Sequence, residues 1–197
     1  MFISTHAYSA QVLGQRESEA LPKFMQDFQH LRQLQAAWAN HKITQRTAQL
    51  LALAERIEAN KPELAAAVCM EVGRCLRECE AEIDKTVDLI RYYAKLAPEL
   101  LDSKTITTQA SLSQVRFEPL GVVLAVMPWN YPVWQIMRFA VPALCAGNAC
   151  LVKPAPSVAQ VTAKLMALVD ETMPLHASYI EHDLIETAIE HADAMAF

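Results

Sequence analysis

Glycine is scarce: only Gly14, Gly73, Gly121 and Gly147 occur in 197 residues. Neither a G-x-G-x-x-G turn nor a G-x-x-x-x-G-K-[ST] loop can be written with them. Both motifs need glycine so that backbone N–H groups can close on a phosphate, so a phosphate-cradling glycine loop is excluded from this sequence. Basic clusters are lacking too. Against 17 Lys and Arg stand 22 Asp and Glu, a net charge of -5, which is the wrong sign for a surface that neutralises nucleic-acid phosphates. No nucleic-acid partner is expected. Hydrophobic content is 53%, yet no apolar run reaches the length of about 18 residues that marks a membrane-spanning helix. Residues 1–20 have neither a basic start nor an apolar h-region, so no membrane partner is expected and the chain reads as cytoplasmic. The five cysteines are odd in number and lack framework spacing, which suits reduced cytosolic thiols. Cys75 and Cys79 share a helix face, but with no His or second pair beside them no metal is expected there. His182 and His191 have no H-E-x-x-H context and read as surface helix residues.

What the chain does contain is one dense unit over residues 121–157. Gly121-Val-Val-Leu-Ala-Val-Met127 is a continuous apolar run of strand length, rich in β-branched residues, and reads as a central parallel strand covered on both faces. It stops at Pro128-Trp129-Asn130-Tyr131-Pro132, where two prolines fix φ on either side of a short loop and Pro132 suits the first turn of a helix. Trp134, Met137, Val141 and Leu144 then recur at helical spacing, and Ala146-Gly147-Asn148 supplies a stop. Cys150-Leu-Val-Lys153 is a second apolar run, cut by Pro154 and Pro156, and Ser157 is the expected N-cap of a helix over 158–170. Strand, crossover helix and parallel strand connect right-handedly. Asn130 and Lys153 therefore emerge together at the carboxyl edge of neighbouring strands, where open α/β sheets bind ligands. The expected fold class is α/β.

The flanks are read by the same rules. Residues 1–21 are polar and irregular, with a short strand expected over 8–13 that turns at Gly14, and read as a surface arm. In the segment 22–104, Leu50, Leu53, Ala54 and Ile57 make one apolar helical stripe and Ile83, Val87 and Ile90 another. Three or four helices are expected, with Asn60-Lys61-Pro62 ending one and opening the next, and Gly73 as a C-cap before a last long helix to about Leu101. Over 105–119 the period moves toward two, as in extended chain with one apolar face. The last segment, 120–197, adds a short strand at 177–180, a helix over 183–191 and an apolar run at 192–197 that reads as a strand.

In order and spacing, Pro128-Trp-Asn-Tyr-Pro132, Ala146-Gly-Asn148 and Lys153-Pro-Ala-Pro156 resemble the cofactor-domain signature of the NAD(P)-dependent aldehyde dehydrogenase family. The bacterial succinate-semialdehyde dehydrogenases are most similar, because Arg138 stands eight residues after Asn130, where that branch carries an arginine. The resemblance implies amino-terminal helices packed on an incomplete Rossmann-like parallel sheet, with 105–119 part of the arm that pairs subunits. A homo-oligomer or a complementing chain is the implied partner. It also implies oxidation of an aldehyde, succinate semialdehyde in the nearer branch, to its acid with NAD or NADP. Asn130 is then the catalytic residue, whose carboxamide NH2 stabilises the oxyanion formed when a thiol adds to the aldehyde. Lys153 bonds ribose hydroxyls, and Trp129, Asn130, Pro154, Ala155 and Pro156 lie along the cofactor. Arg138 pairs with the far carboxylate of the substrate through two parallel hydrogen bonds. Pro156 stands where NAD-preferring members often carry a Glu that accepts from the adenosine ribose, so NAD and NADP both stay open.

Each of these residues has a plainer reading as well. An Asn between two prolines more often bonds its own loop, a Lys closing a strand is more often solvated, and a loop Trp more often packs. An Arg on a helix often reaches a neighbouring acid. The nucleophile is where the sequence departs from the family pattern. Thiolate, general base and glycine turn all lie, in the family, beyond the point matching Phe197. Cys145 ends a helix and Cys150 sits in an apolar strand, settings in which a thiol stays protonated. The expectation is an amino-terminal fragment without the catalytic Cys and inactive alone. The alternative is a module that binds nucleotide or another subunit and does no chemistry.

Overall fold

The computed structural model describes residues 1–196. An antiparallel hairpin, β1 (Phe2–Thr5) and β2 (Val12–Arg16), precedes four helices: α1 (Leu21–Asn40), α2 (Ile43–Ala59), α3 (Lys61–Val72) and α4 (Leu76–Leu100). Two-residue strands β3 (Lys104–Thr105) and β4 (Gln114–Val115) pair antiparallel and lead into the sheet. There β5 (Val122–Val126), β6 (Ala149–Lys153), β7 (Leu175–Ala177) and β8 (Ala194–Ala196) are joined by α5 (Pro132–Cys145), α6 (Ala159–Met166) and α7 (Ile185–His191). All pairings are parallel and the order is β7-β6-β5-β8. The chain therefore steps outward from β5 to β7 and then returns to the other side of β5.

Each central strand divides its side chains between two cores, as the period of two requires. Val122, Leu124, Ala149 and Leu151 pack with Phe24, Phe28 and Leu31 of α1 and Ala188 of α7. Ala125, Cys150 and Val152 face the larger core made by α2 to α6. Residues buried on both faces explain why these strands read as unbroken apolar runs. The helix stops behave as the glycines demand: Gly73 caps α3 at φ 83° and Gly147 follows α5 at φ 89°, the left-handed region that costs a side chain about 1–2 kcal/mol. Among the described residues no helix is long and apolar enough to cross a membrane.

Several expectations need correction. Residues 1–21, expected as a surface arm with a short strand over 8–13, form a hairpin docked along one face. Phe2 is fully buried and packs edge-on against Tyr179 beside Ala159 and Ala177, because β1 buries every second side chain and so has an apolar face to dock. Gly14 lies inside β2, and the turn comes earlier, at 6–11, where His6 Nδ1 accepts from the Tyr8 and Ser9 N–H groups. The helix expected over 158–170 is a single 3-10 turn at Pro156–Val158 followed by α6, which ends at Met166. The strand expected at 177–180 is β7, two residues earlier. The final strand is β8, and Phe197 lies outside the described residues. The extended segment 105–119 pairs through β3 and β4 and one further bond from the Ile106 N–H to the Ser113 carbonyl, and leaves Ile106, Leu112, Val115 and Phe117 exposed.

One strained residue makes a clean test. Ala10 closes the hairpin turn at φ 57°, where an L side chain is crowded by its own backbone. Ala10→Gly removes that strain but gives back some unfolded-state entropy, so stability should rise by about 0.5–1 kcal/mol. Urea unfolding should show a higher midpoint at unchanged slope; an unchanged or lower midpoint contradicts the strain.

Candidate active-site edge

The carboxyl ends of β5 and β8 flank the point where strand order reverses, which is where an open sheet leaves a crevice. The turn after β5 sits there. The Met127 N–H extends the ladder by one bond to the Lys153 carbonyl, at 3.0 Å, and Pro128, Trp129 and Asn130 then stand exposed. Pro132 opens α5 as expected. The N-terminus of α5 is closed by a residue that sequence reasoning missed. Glu82 of α4 accepts the Val133 and Trp134 N–H groups on one carboxylate oxygen, 3.0 Å from each, and its side chain is completely buried. Its other oxygen pairs with Arg74, whose guanidinium lies 4.0 Å from the centroid of the Tyr131 ring. Lys85 Nζ covers Trp134 at 3.9 Å. The Asn130 turn is thus clamped on its helical side by the α3–α4 junction. A signal for Glu82 was present: it lies in the buried stripe Cys79, Glu82, Ile83, Thr86 and Val87, and a carboxylate in an apolar stripe must have a partner.

Lys153 ends β6 on the neighbouring strand, but it is not the solvated lysine that its position suggests. The residue is only 4% exposed, because β1 lies over the sheet edge and sets the Phe2 ring centroid 5.7 Å from Nζ. Burial lowers the Lys153 pKa, with Glu181 pulling the other way. Among the described residues its ammonium has no hydrogen-bond partner, so its three donors remain available. Pro154 is buried, Ala155 half-buried and Pro156 exposed at the start of the 3-10 turn. Ser157 does not cap α6. Glu71 does, accepting the Gln160 and Val161 N–H groups at 3.1 and 2.8 Å, and burial pushes its carboxyl pKa up against the pull of those bonds.

Asn148 is structural: its carbonyl oxygen accepts from the Leu120 and Gly121 N–H groups at 2.7 and 3.2 Å, and its amide donates to the Ala143 carbonyl. It ties the end of α5 to the start of β5. Arg138 stands halfway along α5, exposed and four residues after Trp134 on the same face, with no ion pair among the described residues. The structure thus brings Asn130, Trp129 and Lys153 to one edge and leaves Arg138 partway down the adjoining helix.

None of the buried thiols is activated. Burial pushes Cys79 and Cys145 up to about 11 and Cys150, wholly enclosed in β6, higher still. A thiol that stays protonated is no nucleophile.

A parallel sheet of reversed order, with helices on both faces and polar groups along its carboxyl edge, defines an open, doubly wound α/β domain. The chain belongs to the aldehyde dehydrogenase family, whose profile matches residues 5–179. It is 37% identical over 158 residues to a probable succinate-semialdehyde dehydrogenase [NADP(+)] of Synechocystis sp., which covers 80% of this chain and 33% of the relative. The succinate semialdehyde dehydrogenase [NAD(P)+] of Escherichia coli is 33% identical over 160 residues, 79% of this chain and 35% of that one. The chain therefore spans between about a quarter and a third of the length of the curated relatives it matches. Among solved structures, succinic semialdehyde dehydrogenase from Streptococcus pyogenes in complex with NADP+ superposes at a TM-score of 0.91 and 23% identity, over 98% of this chain and 44% of that one. The glyceraldehyde-3-phosphate dehydrogenase GapN of Methanocaldococcus jannaschii, complexed with NADP, gives 0.92 at 19%, over 100% and 45%.

Proposed function

We propose that this chain forms the amino-terminal part of the cofactor-binding half of an enzyme that oxidises succinate semialdehyde to its acid with NADP or NAD. The observation that carries the reading is Asn130, held exposed at the switch point on a turn stiffened by two prolines and by the Arg74–Glu82 clamp. A carboxamide N–H fixed in that way donates to an oxyanion without having to reorganise when the charge appears. Arg138, on the helix that follows the turn and without an ion pair among the described residues, supplies the bidentate partner for a substrate carboxylate. The buried thiols Cys79, Cys145 and Cys150 stay protonated and do not supply the nucleophile of this reading.

The cofactor fits the site through Lys153, whose stem is buried and whose ammonium has no hydrogen-bond partner among the described residues, with Trp129 and Pro154 to Pro156 beside it. Bound there, the nicotinamide supplies the hydride acceptor. Its pyrophosphate is not held by α5 or α6, because both helix N-termini already carry a glutamate. A carboxylate there repels a second anion. The isolated chain should therefore bind NADP weakly, with no saturation at micromolar concentration in calorimetry, and should not reduce NADP with succinate semialdehyde. Micromolar affinity, or turnover abolished by Asn130→Ala, would sink the fragment part of the proposal.

The same proposal includes self-association through the apolar side chains Ile106, Leu112, Val115 and Phe117 that β3 and β4 leave exposed. Light scattering after size exclusion should show an oligomer; a dilute monodisperse monomer contradicts it. The decisive test of activity is a chimera in which residues 5–179 replace the matching segment of the Synechocystis relative. It should oxidise succinate semialdehyde, and Arg138→Ala should raise KM for that substrate more than for an aldehyde without a carboxylate. A folded chimera without activity overturns the reading.

A further inference from the structure

Away from the Asn130 edge, three side chains from distant parts of the chain converge at the outer strand of the sheet. His176 is the middle residue of β7, Asp27 lies on α1 and Glu19 on the link between β2 and α1. One donor atom from each lies within 4.8 Å of the other two, and His176 Nε2 is 3.7 Å from Asp27 Oδ2. That nitrogen is covered and, among the described residues, has no hydrogen-bond partner. Both carboxylates are held from behind. The Ser178 hydroxyl and the Tyr179 N–H donate to Glu19, the latter at 2.9 Å, while Lys23 binds the opposite oxygen of Asp27. Glu19 thus accepts on both of its oxygens, while Asp27 keeps Oδ2 for the imidazole. All three residues line a cavity of about 660 Å³ between α1, α6 and β7.

We propose that Glu19, Asp27 and His176 bind a divalent transition-metal ion of the zinc type. Donors around a tetrahedral ion at about 2.1 Å stand about 3.4 Å apart, close to the separation already present between His176 and Asp27. Hydrogen bonds to the rear of ligating carboxylates are the usual means of fixing such a site. An imidazole beside two carboxylates selects zinc, cobalt or nickel over calcium and magnesium, which prefer oxygen alone. The cavity is lined by Glu19, Asp27, Asp170 and Glu171 against Arg16 and Lys23, which leaves it negative. The ion would fasten the link before α1 to the free edge of the sheet, and by binding only the folded chain it would stabilise it. This inference stands apart from the proposed dehydrogenase activity.

The test is calorimetric titration of the whole, tag-free chain with zinc chloride, with cobalt absorption as a second signal. One equivalent should bind saturably, raise the unfolding temperature and give a cobalt d–d band. H176A and D27N should each weaken binding by about tenfold or more, and H182A, on an exposed histidine elsewhere, should leave it unchanged. If H176A is unfolded by circular dichroism, D27N decides. Absence of a saturable single equivalent, affinity that survives the loss of His176 or Asp27, or affinity lost in H182A overturns the site.

Discussion

Glu82→Ala should cost the protein about 3–5 kcal/mol, the penalty for leaving one member of a buried ion pair without its partner. Two effects add in the same direction. The Arg74 guanidinium, whose Nε and Nη1 already lack hydrogen-bond partners, loses its carboxylate, and the Val133 and Trp134 N–H groups at the start of α5 lose their acceptor. Since a domain of this size is stable by only about 5–15 kcal/mol, the variant should unfold at a much lower urea concentration or accumulate in insoluble form. Glu82→Gln keeps an acceptor for the helix but not the charge for Arg74, and should fall between. An unfolding midpoint for the alanine variant within error of the parent would show that the clamp carries no stability. The Tyr131 ring rests on Arg74, so loss of Glu82 also loosens the turn that presents Asn130. Trp129 on that turn gives a fluorescence signal for the loosening.

The second large effect belongs to Asn130. In the chimera, Asn130→Ala should lower kcat by about 100- to 1000-fold, the usual cost of one oxyanion donor, with a much smaller change in KM because the donor acts on charge that appears only in the transition state. Asn130→Asp should do worse, since a carboxylate has no N–H and repels the oxyanion. Asn130 makes no hydrogen bond to its own turn among the described residues, so its removal should leave stability nearly untouched. A variant that loses stability but keeps kcat would return Asn130 to the plainer role of a turn residue.

The two expected effects separate what supports the turn from what the turn presents, and the placement of the second was legible in the sequence. Asn130 and Lys153 were placed at neighbouring strand ends from two apolar runs, a proline-bounded turn and the right-handed crossover alone, and β5 and β6 pair in parallel with Val126 opposite Lys153. The helix breaks at Asn60 and Gly73 were equally legible, because each is a local matter of φ, of a missing N–H or of a glycine. The supports were not. Ser157 was a reasonable cap by residue type, yet Glu71, 89 residues before Gln160, holds the helix instead. Phe2 looked like part of a polar tail until β1 turned it onto Tyr179.

What the sequence determined by itself was therefore everything set by period, turn chemistry and burial of a run: a parallel α/β sheet, the direction of its strands, a stiff Asn130 turn, and buried cysteines without reactivity. Tertiary structure alone decided which acid meets which helix end, that Lys153 lies under Phe2 rather than in water, and that Glu19, Asp27 and His176 come together. The physical reason is range. Backbone dihedrals and side-chain period are fixed within a few residues, whereas a carboxylate from α4 reaches the N-terminus of α5 across 51 residues only after both helices have been packed on the same sheet.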